Sequence, residues 1–309
     1  MSEMNIQIAR RQQYTVLLEG GIGNQLFQFF AVLTLARKKG IELCVDDSFI
    51  IRNFNGHGLS IAEDVSNIFA CSRKTNLGLA TFKYLNIMRR TVFLSQKLGL
   101  DISSVGKYYF SSNRNNEETL AKLPPGKTIR GYFQSLNLID QELVCKYRES
   151  FNFNELPDHS NLKRIGIHIR GGDYRKGNTT NGLVDIEYYT QAIASATSEE
   201  EYDYLLLFYT DDYSYTMSIL GNLRINELKY EILTSNSFKN DLAALQHLSS
   251  QNVIIIANST FSLWSAYLSK NREIYAPSKW DLLGTNVSKL YFPEWKIINA
   301  EISNPNEQT

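Results

Sequence analysis

Apolar positions along the chain fall into short runs that alternate with longer stretches of helical period. Tyr14–Leu18 is an apolar run of strand length, Glu19–Asn24 is a glycine-rich turn, and Gln25–Lys39 is dense in Leu, Phe, Ala and Val on most faces. The last pattern predicts a buried helix. Gly40 stops it, and Ile41–Val45 predicts a second strand ending at Asp46-Asp47. A strand, turn, helix and strand in that order predict a parallel sheet. Thr128–Phe133 reads as a further strand. Asn152–Lys163, with Pro157 and several Asn, Asp and Ser residues, is a candidate linker. Beyond it the alternation resumes. Strands are predicted at Arg164–Ile169, Tyr204–Tyr209, Tyr230–Leu233, Val253–Ala257 and Ile274–Ala276, and helices at Glu187–Ala196, Tyr215–Leu220, Asp241–Leu248 and Phe261–Leu268. Two doubly wound α/β domains follow.

The stretch Ile51–Asp101 is less regular. Its pattern is helical, and it carries Arg73, Lys74, Lys83, Arg89, Arg90 and Lys97 among Leu, Phe and Tyr with few acids. Such a stretch is either a solvated helical face or one that rests on anionic lipid or an acidic partner.

Composition narrows the classes. At 309 residues the chain has room for two domains, and an apolar content of 43% is that of a globular protein. Lys plus Arg equals Asp plus Glu at 32 each, so no global basic field draws the chain to nucleic acid. Cys44, Cys71 and Cys145 are odd in number and far apart, which argues against a disulfide framework or a zinc cluster and fits a reducing cytoplasm. Met1–Gln13 is polar and unlike a signal peptide. No apolar run approaches the roughly 20 residues of a membrane span. A cytoplasmic protein is expected, with peripheral contact at the cytoplasmic membrane face left open.

Candidate chemistry gathers at three predicted strand ends. Ile165–Tyr174 runs from a strand into His168, Arg170, Gly171, Gly172 and Asp173. Open α/β sheets bind ligands at that edge. A guanidinium beside closely approachable glycine backbone suits phosphate or pyrophosphate, and a solvated turn with a surface ion pair is the other reading. Gly20–Asn24 places Asn24 where a helix begins, with amides that can attract phosphate or merely cap the helix. Asn258-Ser259-Thr260-Phe261-Ser262 brings hydroxyls and an amide to a third strand end, as phosphate ligands or as a cap cluster. Asp211-Asp212 has no third carboxylate at metal-ligand spacing, so acids at a helix start fit it better than a metal site.

Taken in order, Gly20–Gln28, Gly131–Ser135, His168–Tyr174, Tyr209–Asp212, Ile256–Ser262 and Ala276–Trp280 resemble the α-1,2-fucosyltransferases of bacteria and animals. The resemblance implies a GT-B-type fold, with two Rossmann-like doubly wound domains facing a cleft: an acceptor domain at residues 1–155, a donor domain at 156–285, and a segment at 286–309 that packs back on the first domain or hangs loose. It implies GDP-fucose as co-substrate, inversion at the sugar, and neither metal nor cofactor. The acceptor would be a galactose-terminated oligosaccharide or lipid-linked glycan. Arg170 would clamp the donor pyrophosphate. Gly21, Gly23, Asn24, His168, Asp241 and the run Asn258, Ser259, Thr260, Phe261 and Ser262 would also bind donor. Gln25, Tyr132, Phe133 and Gln134 would face the acceptor; the aromatics Tyr132, Phe133 and Phe54 read either as stacking surfaces for acceptor sugars or as core. Asn24 and Asp173 join Arg170 as catalytic candidates, Asp173 either as base or as the partner that orients Arg170. The chain departs from the family in Gly171, where a second arginine is usual, and in Leu263, where tryptophan is usual. Another GDP-fucose transferase (α-1,6 or protein O-linked) and a non-catalytic nucleotide-sugar-binding protein stay open as alternatives.

Overall fold

A computed structural model describes residues 13–52, 59–98, 100, 102–111, 117–151, 162–176, 180–199, 202–223, 225, 228–270 and 273–304. By contact the chain divides into two units, residues 1–20 with 25–143 and residues 21–24 with 144–309. Each is built on a six-stranded sheet.

In the first unit, β1 (Gln13–Leu17), α1 (Ile22–Lys39) and β2 (Glu42–Asp46) form the expected parallel unit. Then come α2 (Ser48–Ile51), α3 (Ala62–Phe69), β3 (Ser72–Lys74), α4 (Leu79–Lys97), β4 (Ser104–Val105), β5 (Tyr108–Phe110), α5 (Glu117–Ala121), β6 (Thr128–Arg130) and α6 (Gln141–Glu149). The sheet order is β3-β2-β1-β6-β5-β4, parallel except for the β4–β5 hairpin. Helix α1 begins three residues before the predicted Gln25. Gly20, at φ +80°, makes the reversal after β1, and the buried, apolar Ile22 already joins the helix. Asn24 therefore lies in the first turn and is not its cap.

In the second unit, β7 (Leu162–Ile169), β8 (Leu183–Val184), α7 (Ile186–Ala196), β9 (Asp203–Thr210), α8 (Tyr213–Leu220), β10 (Lys229–Leu233), α9 (Asp241–Ser249), β11 (Val253–Ile255), α10 (Thr260–Leu268), β12 (Glu273–Pro277), β13 (Lys296–Ile298) and β14 (Ile302–Ser303) follow in turn. The sheet order β10-β9-β7-β11-β12-β13 is parallel throughout. Ile165, Ile167 and Ile169 of β7, Phe208 of β9 and Ile255 of β11 are buried against Tyr188, Tyr189 and Ile193 of α7 in one core. The segment after residue 285, expected to return to the first domain or hang loose, adds β13 to this sheet, and β14 pairs with β8. Apolar residues there, including Leu290, Tyr291 and Trp295, are buried. Of the linker candidate, residues 152–161 lie outside the described residues.

Each sheet changes direction next to its first strand, between β1 and β6 and between β7 and β11. Such switch points open a crevice at the carboxyl ends of the strands. In the first unit an ion pair occupies it. Glu19, just past β1, takes Arg130 Nη2 from the end of β6 at 2.8 Å and Arg89 Nη1 from α4 at 3.1 Å. Glu19 and Arg130 are both almost wholly buried, and the Arg130 guanidinium lies 4.5 Å from the centre of the Phe49 ring. Breaking a buried pair strands the remaining charge, whereas replacing both partners with apolar groups costs far less. Arg130→Met should destabilise the first unit by about 3–5 kcal/mol, and Glu19→Leu with Arg130→Met by less than half of that. Hydrogen exchange of the β1 and β6 amides reads the difference; equal losses in the two variants would contradict a charge-stranding cost.

Candidate active site

At the second switch point the strand ends deliver the residues expected there. β7 ends at Ile169, so Arg170 emerges at the carboxyl edge, between the ends of β9 and β11. Its guanidinium is held at both ends: Nη2 is 2.5 Å from Asp173 Oδ1, and Nη1 is 2.7 Å from Asp211 Oδ2. It lies 5.1 Å from the centre of the Tyr174 ring. Its Nε is buried and has no hydrogen-bond partner among the described residues. Burial pulls the Arg170 pKa down, but Asp211, Tyr174 and Asp173 outweigh it, so the cation is held firmly.

The glycine pair wraps Asp211. The Gly171 amide donates to Asp211 Oδ1 at 2.9 Å. Gly172, at φ +21°, comes so close that a Cβ would lie 3.0 Å from the Asp211 carboxyl carbon and collide with its Oδ2. A Cβ at Gly171 would lie 2.7 Å from Asp212 Cβ and 2.9 Å from Tyr215 Cδ1. In this packing there is no room for an arginine at 171. A second guanidinium stands nearby instead, on Arg175, which pairs with Asp212 at 2.8 Å over the Tyr215 ring. Asp212 caps α8, taking the Tyr215 amide on its side chain at 3.0 Å. That is the helix-start role expected of it, whereas Asp211 pairs with the arginine. Among the described residues no group of three His, Cys, Asp or Glu side chains could hold a metal ion.

His168 is buried, with Nδ1 2.9 Å from Ser262 Oγ and its ring centre 5.2 Å from that of Phe261. Burial, reinforced by the Arg170 charge, pushes its pKa down to about 3, so the imidazole is neutral at neutral pH. A cavity of about 200 Å³ opens beside it, lined by His168, Arg170, Asp211, Phe238, Asp241 and Phe261 among others. Phe238 stacks on Tyr209 at 10°, and the Tyr209 hydroxyl is 2.6 Å from His247 Nδ1.

The glycine-asparagine turn belongs with this unit. Thr260 Oγ1 donates to Asn24 Oδ1 at 3.2 Å. A Cβ on Gly23 would collide with the Thr260 carbonyl and lie 2.7 Å from the Phe261 amide, so only glycine allows this approach. The run after β11 is more structural than expected. Asn258 donates its amide to the Asn181, Gly182 and Trp280 carbonyls, and Ser259 caps α10. Arg170, His168, Asp241 and Phe261 thus share the cavity lining, and Gly23 and Asn24 meet Thr260 at the start of α10.

The acceptor candidates lie in the first unit. Gln25 is fully buried, its amide donating to the Gly20 and Leu59 carbonyls and accepting from the Ile61 amide. Phe133, at φ +51°, is also fully buried, and Gln134 nearly so. Only Tyr132 of the four is half-exposed, with the Arg89 guanidinium 5.5 Å from its ring centre. Gln25 and Phe133 thus hold the fold rather than present a sugar-binding surface. Phe54 lies outside the described residues. Asp211, Arg175, Phe238 and Tyr209 are the neighbours of the site that sequence alone did not assign to it; the strand-end position of Thr210-Asp211 was the available signal.

The family model of glycosyl transferase family 11 matches residues 2–299, and the chain belongs to that family. It is a glycosyltransferase. Among characterised relatives it is 25% identical to the O-antigen biosynthesis glycosyltransferase WbnK of Escherichia coli, over 90% of this chain and 98% of that one. It is 26% identical to an α-1,2-colitosyltransferase of the same organism, over 90% and 93%. Among solved structures, the α-1,6-fucosyltransferase NodZ soaked with GDP-fucose aligns at TM-score 0.48 and 11% identity, covering 84% of this chain and 93% of its own. The E. coli ADP-heptose lipopolysaccharide heptosyltransferase II aligns at TM-score 0.47 and 12% identity, over 93% and 90%. Among the described residues no helix is long and apolar enough to cross a membrane.

Gly23→Ala should force the first turn of α1 away from Thr260, because the added Cβ meets backbone there. Expected is a loss of ~1 kcal/mol or more in unfolding free energy; an unchanged unfolding free energy would contradict the close approach. His168 generates a second expectation. Its folded pKa, about 3, lies below the ordinary 6.5, so between those values the unfolded chain takes up a proton that the folded chain does not. Stability should therefore fall as pH drops through that window, by roughly 1 kcal/mol per pH unit. The slope should flatten in His168→Asn, measured by urea unfolding at each pH; the same slope in both proteins would place the proton uptake elsewhere.

Proposed function

We propose that this glycosyltransferase moves L-fucose from GDP-β-L-fucose to the 2-hydroxyl of a terminal β-galactoside, with inversion, in the synthesis of a surface polysaccharide. The observation that carries the reading is the Arg170 guanidinium, held between the carboxylates of Asp173 and Asp211 at the switch point beside a cavity. Membership of the family supports it, as do a relative named for O-antigen biosynthesis and another named for α-1,2 transfer.

Fucosyl transfer breaks the bond between the anomeric carbon and a phosphate oxygen. The bonding pair leaves with the diphosphate, and the sugar acquires oxocarbenium character. The protein's largest lever is a fixed donor aimed at the departing charge. An arginine so placed contributes about 10³–10⁵ in rate in phosphoryl transfer, or roughly 4–7 kcal/mol. Arg170 has that role here, with the diphosphate taking the place of one carboxylate and the free Nε supplying a further donor. Thr260 and Asn24 add neutral hydrogen bonds. Neutral His168 contributes shape and one ring nitrogen rather than charge. Asp241 and the Phe238 wall suit an uncharged, planar base in the cavity. The acceptor hydroxyl attacks from the opposite face, which inverts the centre, and its proton leaves to solvent or to Asp173. No metal takes part.

The name of the α-1,2-colitosyltransferase favours a second donor reading, transfer of a colitosyl group to the same hydroxyl. A screen of both sugar nucleotides against galactose-terminated acceptors, with the product linkage read by NMR, separates the two. In that assay Arg170→Lys should keep its fold and lose at least a hundredfold in transfer, because a point charge does not reproduce the guanidinium fork. Activity in EDTA should match that without it. Near-normal turnover of the lysine variant would remove Arg170 from the chemistry.

A further inference from the structure

Helix α4 turns a long apolar row outward. Leu85 and Val92 on its inner side are completely buried, packed in a cluster with Leu17, Phe49 and Phe110. On the outer side Leu79, Ile87 and Leu94 are more than half exposed, and the chain beyond continues with Leu98 at 77% and Leu100 at 59% exposed. Ile87 and Leu94 recur at an interval of seven residues, so they stand on one face, and the exposed Leu98 follows just past the helix. Lys83 and Arg90, both exposed, recur at seven on the row beside them. Residues 70–100 hold six Lys or Arg and no Asp or Glu. Two of those cations are engaged within the fold, Arg73 with Asp47 and Glu63 and Arg89 with Glu19; Lys83 and Arg90 face solvent.

We propose that α4 docks this protein on an anionic lipid surface. A row of aliphatic side chains parallel to a row of cations matches an interface that is apolar at depth and negatively charged at the headgroups. The helix is about 28 Å long at 1.5 Å per residue, and its inner side is packed in the core, so the exposed rows run along its outer side. The absence of acids across residues 70–100 removes the repulsion that an anionic leaflet would otherwise impose. Each cation near such a surface contributes about fivefold to partitioning.

The test is cosedimentation of the full chain with vesicles of phosphatidylcholine alone and with vesicles containing phosphatidylglycerol. The wild type should bind the anionic vesicles, and neutral ones at least about tenfold more weakly. Lys83→Glu with Arg90→Glu, and separately Ile87→Gln with Leu94→Gln and Leu98→Gln, should each weaken anionic binding by at least about tenfold while leaving the thermal unfolding midpoint unchanged. Equal sedimentation of the wild type and both variants would overturn the proposal. So would a wild type that ignores vesicles and forms a dimer, seen by light scattering and lost in the glutamine variant, because the face would then hold a second copy of the chain.

Discussion

A guanidinium that leaves water must be met by negative charge and by acceptors in its own plane. Arg170 meets that demand with Asp173 on one side and Asp211 on the other, and the turn around it is shaped to keep Asp211 in place. The two glycines admit the carboxylate, and the Gly171 amide binds it. The carboxylates stabilise the cation without satisfying it completely, because Nε has no partner among the described residues. An anion with several oxygens in one plane can replace a carboxylate and engage more of the fork. The same constraint therefore keeps the arginine ready and leaves it receptive.

The two sheets handle their switch points differently. In the first, Glu19 and Arg130 neutralise each other inside the crevice and are sealed from solvent. In the second, the equivalent position holds an arginine a quarter exposed beside an open cavity. The first arrangement is structural because neither charge can reach a ligand. The second leaves its cation within reach of a ligand, which the proposed chemistry requires.

Much of this was legible in the sequence because it is local. Strand β7 running into Arg170, the parallel units and the capping role of Asp212 all follow from neighbouring residues. What was not legible depends on contacts across the chain. Asp211 lies forty-one residues from Arg170 and becomes its partner only when β7 and β9 pair. Arg175 is held near the turn by Asp212 and Tyr215 of the next strand-helix unit, which no local pattern reveals. The family resemblance set Gln25 and Phe133 toward the acceptor, yet here the glutamine amide stitches three backbone groups together and the phenylalanine takes a left-handed backbone and is buried, the core alternative already open for it. Asn24 missed its cap role by one turn because Ile22 had an apolar site to fill.

The deciding question is which partner Arg170 holds when the diphosphate of the proposed donor is present. A crystal structure of the GDP complex answers it directly. The guanidinium should lie about 3 Å from oxygens of the diphosphate, with at least one of Asp173 and Asp211 released. A guanidinium still clasped by both carboxylates, with the nucleotide bound away from the ends of β7 and β11, would contradict the account.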